Sequence, residues 1–167
     1  KTHFMPSIII AHRGASAIAP ENTLTAIKLA FASKVVAGVE VDVHLSKDNK
    51  LVVSHDNKLT RLADSQLEIE STNWRQLKDI DVGTWKAPRF AGEKMPLLSQ
   101  VLDILPGKYL LFIEMKTTND LALKSLDKLL DKHKDKHSQI KVISFAWDFI
   151  DIFKNQNKHK NQNKHIE

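Results

Sequence analysis

Short β-branched runs alternating with amphipathic segments predict an α/β fold with a parallel sheet, of the TIM-type (β/α) barrel kind. Three observations carry this expectation. Apolar runs at Ile8–His12, Gly38–Leu45, Tyr109–Met115 and Ile140–Phe145 have the length and composition of buried strands. Segments with helical apolar spacing stand between them, the pattern of parallel βαβ units. Polar groups cluster at the ends of these runs, as His12-Arg13, Glu40-x-Asp42 and Glu114-x-Lys116. Functional groups at the C-terminal ends of several strands mark the active face of a barrel.

Taken in order, Ile8–His12 is an apolar run that ends in a polar pair. Pro20-Glu21-Asn22-Thr23 opens a helix whose Leu24, Ile27 and Phe31 share one face. Gly38–Leu45 alternates Val39, Val41 and Val43 against Glu40, Asp42 and His44, and strand residues two apart share a face. Leu51–Ser54 follows too soon for a parallel crossover. It reads as the return strand of a hairpin turning at Asp48-Asn49, in a register that sets Leu45 opposite Val52 and Asp42 opposite His55. Residues 57–95 hold no long periodic segment beyond a short helix near Thr72–Leu77. An irregular stretch of that length is usually functional or a lid, and its Trp74, Trp85 and Phe90 predict that it packs onto the body. Leu98, Val101, Leu102 and Leu105 make a helix face that ends at Pro106-Gly107. The strand Tyr109–Met115, the helix Leu121–His133, the strand Ile140–Phe145 and a helix starting over Asp148–Phe153 complete the domain, taken as 1–153. Lys154–His159 and Lys160–His165 both read KNQNKH. This duplicated tail, 154–167, has no apolar face and is expected to be solvated or disordered.

Bulk properties narrow the function classes. A chain of 167 residues with 42% hydrophobic and 27% charged residues is one ordinary soluble domain with a real core. The absence of cysteine excludes disulfides and thiolate metal sites. No apolar run approaches the roughly 18 residues needed for a transmembrane helix. Lys1–Ser7 is too short and polar for a secretory signal, so a cytoplasmic location is expected, although the chain does not begin with Met and an upstream segment is compatible with it. Residues 1–120 carry 15 basic and 14 acidic groups, and residues 121–167 carry 10 and 6. The basic quarter could attract nucleic acid or an anionic surface, but a solvated lysine-rich helix and tail is the favoured reading, and no nucleic-acid partner is expected.

The polar strand ends, with His55-Asp56 after Leu51–Ser54, hold a set of groups suited to phosphodiester cleavage. His12 and His55 are candidate acid/base groups. Glu40, Asp42 and Glu114 offer the oxygen ligands that a hard cation wants. Arg13 and Lys116 are candidate phosphate grips. Each has a plainer explanation: a structural strand end for His12-Arg13, exposed edge carboxylates for Glu40 and Asp42, a structural ion pair for Glu114 and Lys116. His44 shares the face of Glu40 and Asp42 and is placed at the rim. His133 and His137 have zinc-compatible spacing on a helix, but they sit among lysines and aspartates, and a solvated face is favoured.

In combination and in order, these segments resemble the glycerophosphodiester phosphodiesterase family. The carriers are HRGAS-x3-PENTL-x-A (His12–Ala26), GVEVDVHLSKD, LVVSHD, GTWKAPRFAGEKMPLL, FIEMK and ISF, over about Ile8–Phe153. The resemblance implies a barrel of eight parallel strands with an insertion, here 57–95, of which this chain holds about four of eight βα units. It also implies metal-dependent hydrolysis of a glycerophosphodiester to glycerol 3-phosphate and an alcohol. By motif, Glu40, Asp42 and Glu114 would hold Ca²⁺ or Mg²⁺, His12 and His55 would be the acid/base pair, and Arg13 and Lys116 would clamp phosphate. A phospholipase D of the sphingomyelinase type shares the histidine and Glu-x-Asp motifs, but the PENT helix and the insertion favour the first family. The sequence is also compatible with an inactive truncated remnant of that family, and its basic quarter with a binder of nucleic acid or anionic surfaces. A half barrel is expected to expose a strand edge at each end and an apolar inner face larger than a monomer tolerates. A second copy of the chain or a missing C-terminal half is therefore an expected partner.

Overall fold

The computed structural model describes residues 8–162, with side chains through Gln156. The strands are β1 (Ile10–His12), β2 (Gly38–Leu45), β3 (Leu51–Val53), β4 (Leu110–Met115) and β5 (Ile140–Ile143). Four of them form a parallel sheet in the order β1-β2-β4-β5, and β3 pairs antiparallel with β2. The helices are α1 (Leu24–Ala32), α2 (Thr60–Ala63), α3 (Trp74–Leu77), α4 (Leu98–Ile104), α5 (Asp120–Lys132) and α6 (Trp147–Gln162). The parallel α/β architecture of an incomplete barrel is thus the observed one.

One face of the sheet makes the core. Val39, Val41 and Val43 of β2 and Leu111, Ile113 and Met115 of β4 are buried against Ile27, Leu98, Leu102, Ala122, Leu126 and Phe149 from the surrounding helices. Each of these side chains larger than alanine contributes about 1.5–3 kcal/mol by leaving water. Period-2 alternation therefore forces Glu40, Asp42, Phe112 and Glu114 onto the opposite, inner face. Helix starts are set locally. Thr23 caps α1 by accepting from the Ala26 N–H (3.2 Å), and Asn119 caps α5 by accepting from Ala122 (2.9 Å).

The hairpin register differs from expectation by one residue. The pairs are Val43 with Val53, His44 with Val52 and Leu45 with Leu51. The turn takes three residues, 47–49, because Asn49 adopts a left-handed φ of 60°. Ser46 closes it from both sides. Its N–H donates to the Lys50 carbonyl (2.9 Å), and its hydroxyl donates to Asp48 (2.7 Å) while accepting from the Lys50 N–H (2.9 Å). Ser54, not His55, lies across from Asp42, with its N–H donating to the Asp42 carbonyl (3.0 Å).

The insertion is less irregular than its sequence implies. It holds α2, α3 and two single-turn 3₁₀ helices, Ile69–Ser71 and Pro88–Phe90. Val52, Leu59, Leu62, Ile69, Leu77, Val82 and Met95 give it a core of its own. The inner face of the sheet carries Glu40, Asp42 and Glu114, with the half-buried Leu110 and Phe112 on the same face. Exposed apolar side chains stand at both ends of the sheet, Ile8 and Ile9 before β1 and Phe145 and Trp147 after β5. In the tail, α6 continues as helical backbone through Gln162, with exposed side chains at Lys154–Gln156; the rest of the duplication lies outside the described side chains. No helix among the described residues is long and apolar enough to cross a membrane.

Candidate active site

Strand register builds the centre of the site. Parallel pairing sets His12 beside Glu40 and Asp42 beside Glu114 on neighbouring strands, about 4.8 Å apart as strands are. Glu40 and Asp42 then share a face by alternation. The result is a group of carboxylates, Glu40, Asp42 and Glu114, whose ligand oxygens lie within 4.8 Å of one another. Asp42 is fully buried and Glu40 nearly so.

Cations and donors compensate this charge only in part. Arg13 donates its backbone N–H to Glu40 Oε2 (3.1 Å), and its Nε lies 3.1 Å from Asp42 Oδ2. Asn22 Nδ2 donates to the same Asp42 oxygen (2.9 Å). Lys116 Nζ lies 2.6 Å from Glu114 Oε1 and 3.2 Å from Asp42 Oδ1. Burial pushes the Lys116 ammonium toward losing its proton, but its bond to Glu114 and the Asp42 charge win and hold it up. Glu40 responds oppositely: burial, then the charge of Asp42, push its carboxyl up to about 7. Glu40 Oε1 and Asp42 Oδ1 are buried with no aligned hydrogen bond. Buried carboxylate oxygens without donors are costly, and three convergent carboxylates with such oxygens fit a hard divalent cation.

The loop after β1 is built for this contact. Arg13 and Asn22 both adopt φ of 58°, a left-handed conformation uncommon outside glycine, so strain is stored beside the carboxylates. Gly14, at φ 78°, lies so close to α1 that a Cβ there would meet the Ala26 carbonyl carbon at 2.7 Å.

His55 is held from two directions. Its Nδ1–H donates to Asp56 Oδ1 (2.7 Å), which leaves Nε2 as the atom able to exchange a proton. Its carbonyl accepts from His44 Nε2 (3.0 Å). His44 is thus buried rather than at the rim, with Nδ1 donating to Glu70 of the insertion (2.9 Å). Glu70 also accepts from Thr117 (2.6 Å), whose hydroxyl accepts from the Leu45 N–H (2.9 Å). His12, by contrast, is exposed, 3.8 Å from Glu40.

The structure therefore gathers Glu40, Asp42, Glu114, Arg13, Lys116 and His12. His55 makes no bond to the three carboxylates and joins the group through Asp56, Arg61 and Glu21. Sequence reasoning missed Glu21, Asn22, Arg61, Glu70 and Thr117 as parts of the site. The PENT segment, read only as a helix start, was a signal for the first two. His133 and His137 form no metal pair: their ring nitrogens bond to the carbonyls of Leu129 and Leu130 and, for His133, to Asp103. A groove of about 470 Å³ lined by the hairpin tip, α4 and α5 contains none of the site residues.

Comparison with known proteins gives this arrangement a family. A model of the "Glycerophosphoryl diester phosphodiesterase family" matches residues 12–164. The glycerophosphodiester phosphodiesterase of Caldanaerobacter subterraneus subsp. tengcongensis is 34% identical over 140 residues, covering 83% of this chain and 57% of that protein. That of Bacillus subtilis (strain 168) is 32% identical over 155 residues, covering 83% and 52%. Among solved structures, an Oleispira antarctica phosphodiesterase in complex with the product sn-glycerol-3-phosphate superposes with a TM-score of 0.78 at 31% identity, covering 84% of this chain and 58% of that one. The glycerophosphodiester phosphodiesterase from Agrobacterium tumefaciens str. C58 gives 0.77 at 29%, covering 86% and 60%. The chain spans about half the length of the curated relatives it matches. With the family match running through nearly the whole sheet and the insertion, the chain belongs to the glycerophosphoryl diester phosphodiesterase family.

Proposed function

We propose that this chain carries the catalytic half of a metal-dependent phosphodiesterase that hydrolyses glycerophosphodiesters to glycerol 3-phosphate and an alcohol. The observation that carries the reading is the convergence of Glu40, Asp42 and Glu114, with ligand oxygens within 4.8 Å, beside Arg13, Lys116 and His12. These carboxylates would hold a divalent cation, Ca²⁺ or Mg²⁺, which when bound neutralises charge growing on the phosphoryl oxygens. Arg13, locked by Glu21 and Asp42, and Lys116, on β4's end, grip the phosphate from the same side. A water attacks phosphorus and the P–O bond to the alcohol breaks; where the substrate's own glycerol hydroxyl attacks instead, loss of the alcohol leaves a cyclic phosphate, which a water then opens to glycerol 3-phosphate. In this reading one of His12 and His55 takes the nucleophile's proton and the other returns a proton to the leaving alkoxide. His55 does so through Nε2, because Asp56 holds Nδ1.

Among the described residues β1 and β5 are open sheet edges, with exposed apolar groups beside both. The reading therefore includes a covering partner that completes eight strands, either a second copy of this chain or the C-terminal half of the family domain. The test is release of glycerol phosphate from glycerophosphocholine and glycerophosphoethanolamine, with Mg²⁺ or Ca²⁺ and with chelator. Chelator-sensitive release lost in His12→Ala and His55→Ala is expected. No release from folded chain with either ion, alone or with its covering half, would sink the reading in favour of an inactive remnant.

A further inference from the structure

Arg61 has no part in the chemistry above, yet it ties the two ends of the site together. We propose that Arg61 is a positioning residue that couples the His55–Asp56 pair to Arg13 through Glu21, so that the insertion sets both the proton affinity of the histidine and the seat of the phosphate grip. This rests on the phosphodiesterase reading.

The geometry is a continuous chain of alternating charge. Arg61 Nε donates to Asp56 Oδ2 (2.6 Å), while Asp56 Oδ1 accepts from His55 (2.7 Å). The other edge of the same guanidinium donates from both terminal nitrogens to Glu21, at 2.7 and 3.1 Å. Glu21 Oε1 also accepts from Arg13 Nη1 (3.0 Å), and Arg13 Nε reaches Asp42. Only a planar fork with donors on two edges can hold two carboxylates in this way; an ammonium on a flexible stem cannot. Arg61 is itself fixed. It sits on α2, whose neighbours Leu59 and Leu62 are buried in the insertion core, and its guanidinium lies 5.8 Å from the Trp85 ring. Burial raises the carboxyls of Asp56 and Glu21, but their bonds to His55, Arg61 and Arg13 outweigh it, so both stay charged.

The sign of the effect follows from the charges. Arg61 shares Asp56 with His55 and places a cation near the imidazole, and both actions disfavour the imidazolium. The other titratable groups joined to His55 are His44 of β2, at its carbonyl, and Glu70 of the insertion behind His44. Neither changes when Arg61 is replaced. Removing the guanidinium therefore raises the proton affinity of His55 and, through Glu21, loosens Arg13. A residue that merely stabilised the fold would lower activity without moving the histidine limb of the pH profile.

The experiment measures the pH profile of kcat/KM on glycerophosphocholine, together with the NMR titration of the His55 ring proton, in wild type, Arg61→Gln, Arg61→Lys and Glu21→Gln. In Arg61→Gln the His55 limb and the ring titration move up by about one pH unit, and KM rises. Arg61→Lys keeps the charge and shows less than half of that shift but retains the raised KM. Glu21→Gln leaves the Arg61 charge unshared and moves the limb down; this variant decides the matter if Arg61→Gln does not fold. Unmoved limbs and titrations in folded variants overturn the proposal. If wild type shows no turnover either alone or with its covering half, the phosphodiesterase reading fails separately, and the ring titration alone then supports or overturns the coupling.

Discussion

His12 projects from the edge strand β1 with its side chain 66% exposed and Glu40 3.8 Å away. His55 lies past β3 with its ring bonded to Asp56, its carbonyl bonded to His44, and Arg61 behind both. The two candidate acid/base groups are thus restrained by different parts of the chain. The sheet, through register alone, assembles the carboxylates and places His12 beside them. The insertion, through α2 and the turn at Ile69–Ser71, orients His55. An edge strand of three residues cannot hold a side chain as a packed insertion can, so orientation of His12 falls to whatever covers the β1 edge.

The largest expected effect breaks this asymmetry. His12→Ala and His55→Ala each lower kcat/KM by about 10³, the usual scale of a lost proton-transfer group. Asp56→Asn, which leaves the His55 tautomer unfixed, lowers it as well; steady-state kinetics on glycerophosphocholine reads all three. A wild-type rate in Asp56→Asn would show that the restraint on His55 is not used.

A second effect probes the sheet side through stability. Glu40 is held at about 7, above its ordinary 4.5, by burial and then by Asp42. Below about pH 4.5 its proton is present in both folded and unfolded chains. Between there and 7 the folded chain keeps a proton that the unfolded chain releases, so this group's contribution falls as pH rises through that window. The loss is about 3 kcal/mol by pH 8. Urea unfolding of metal-free protein at pH 5 and pH 8 measures it, and Glu40→Gln should remove that part of the difference.

The smallest effect lies on the insertion side. His44→Leu cuts the ties to Glu70 and to the His55 carbonyl and should cost about 2 kcal/mol in urea unfolding. It should also reduce turnover, whereas the pH dependence owed to Glu40 persists.

Much of this was legible because it depends on period and composition. Gly38–Leu45 alternates so cleanly that its limits and its two faces could be read directly, and with them the pairing of Glu40 and Asp42. The hairpin register was misread because an Asp-Asn pair suggests a two-residue turn, whereas Ser46 and a left-handed Asn49 make it three. The consequence was specific: His55 lost its predicted place opposite Asp42 and gained one beside Asp56. In the insertion only α3 was legible, within the short helix read near Thr72–Leu77; α2 has four residues, too short for any helical period to show. The ties of Arg61 to Glu21 and of Glu70 to His44 span 40 and 26 positions. No local spacing announces such pairs; they exist only once a second core has folded.

The measurement closest to the central claim is calorimetric titration of the purified chain with Ca²⁺ and Mg²⁺ at pH 8 and pH 6. One ion per chain is predicted at pH 8, bound more weakly at pH 6 where Glu40 carries a proton, and lost in Glu114→Gln. A folded chain that binds neither ion, or binds equally well without the Glu114 carboxylate, would contradict the assignment of the inner face as a divalent-cation site.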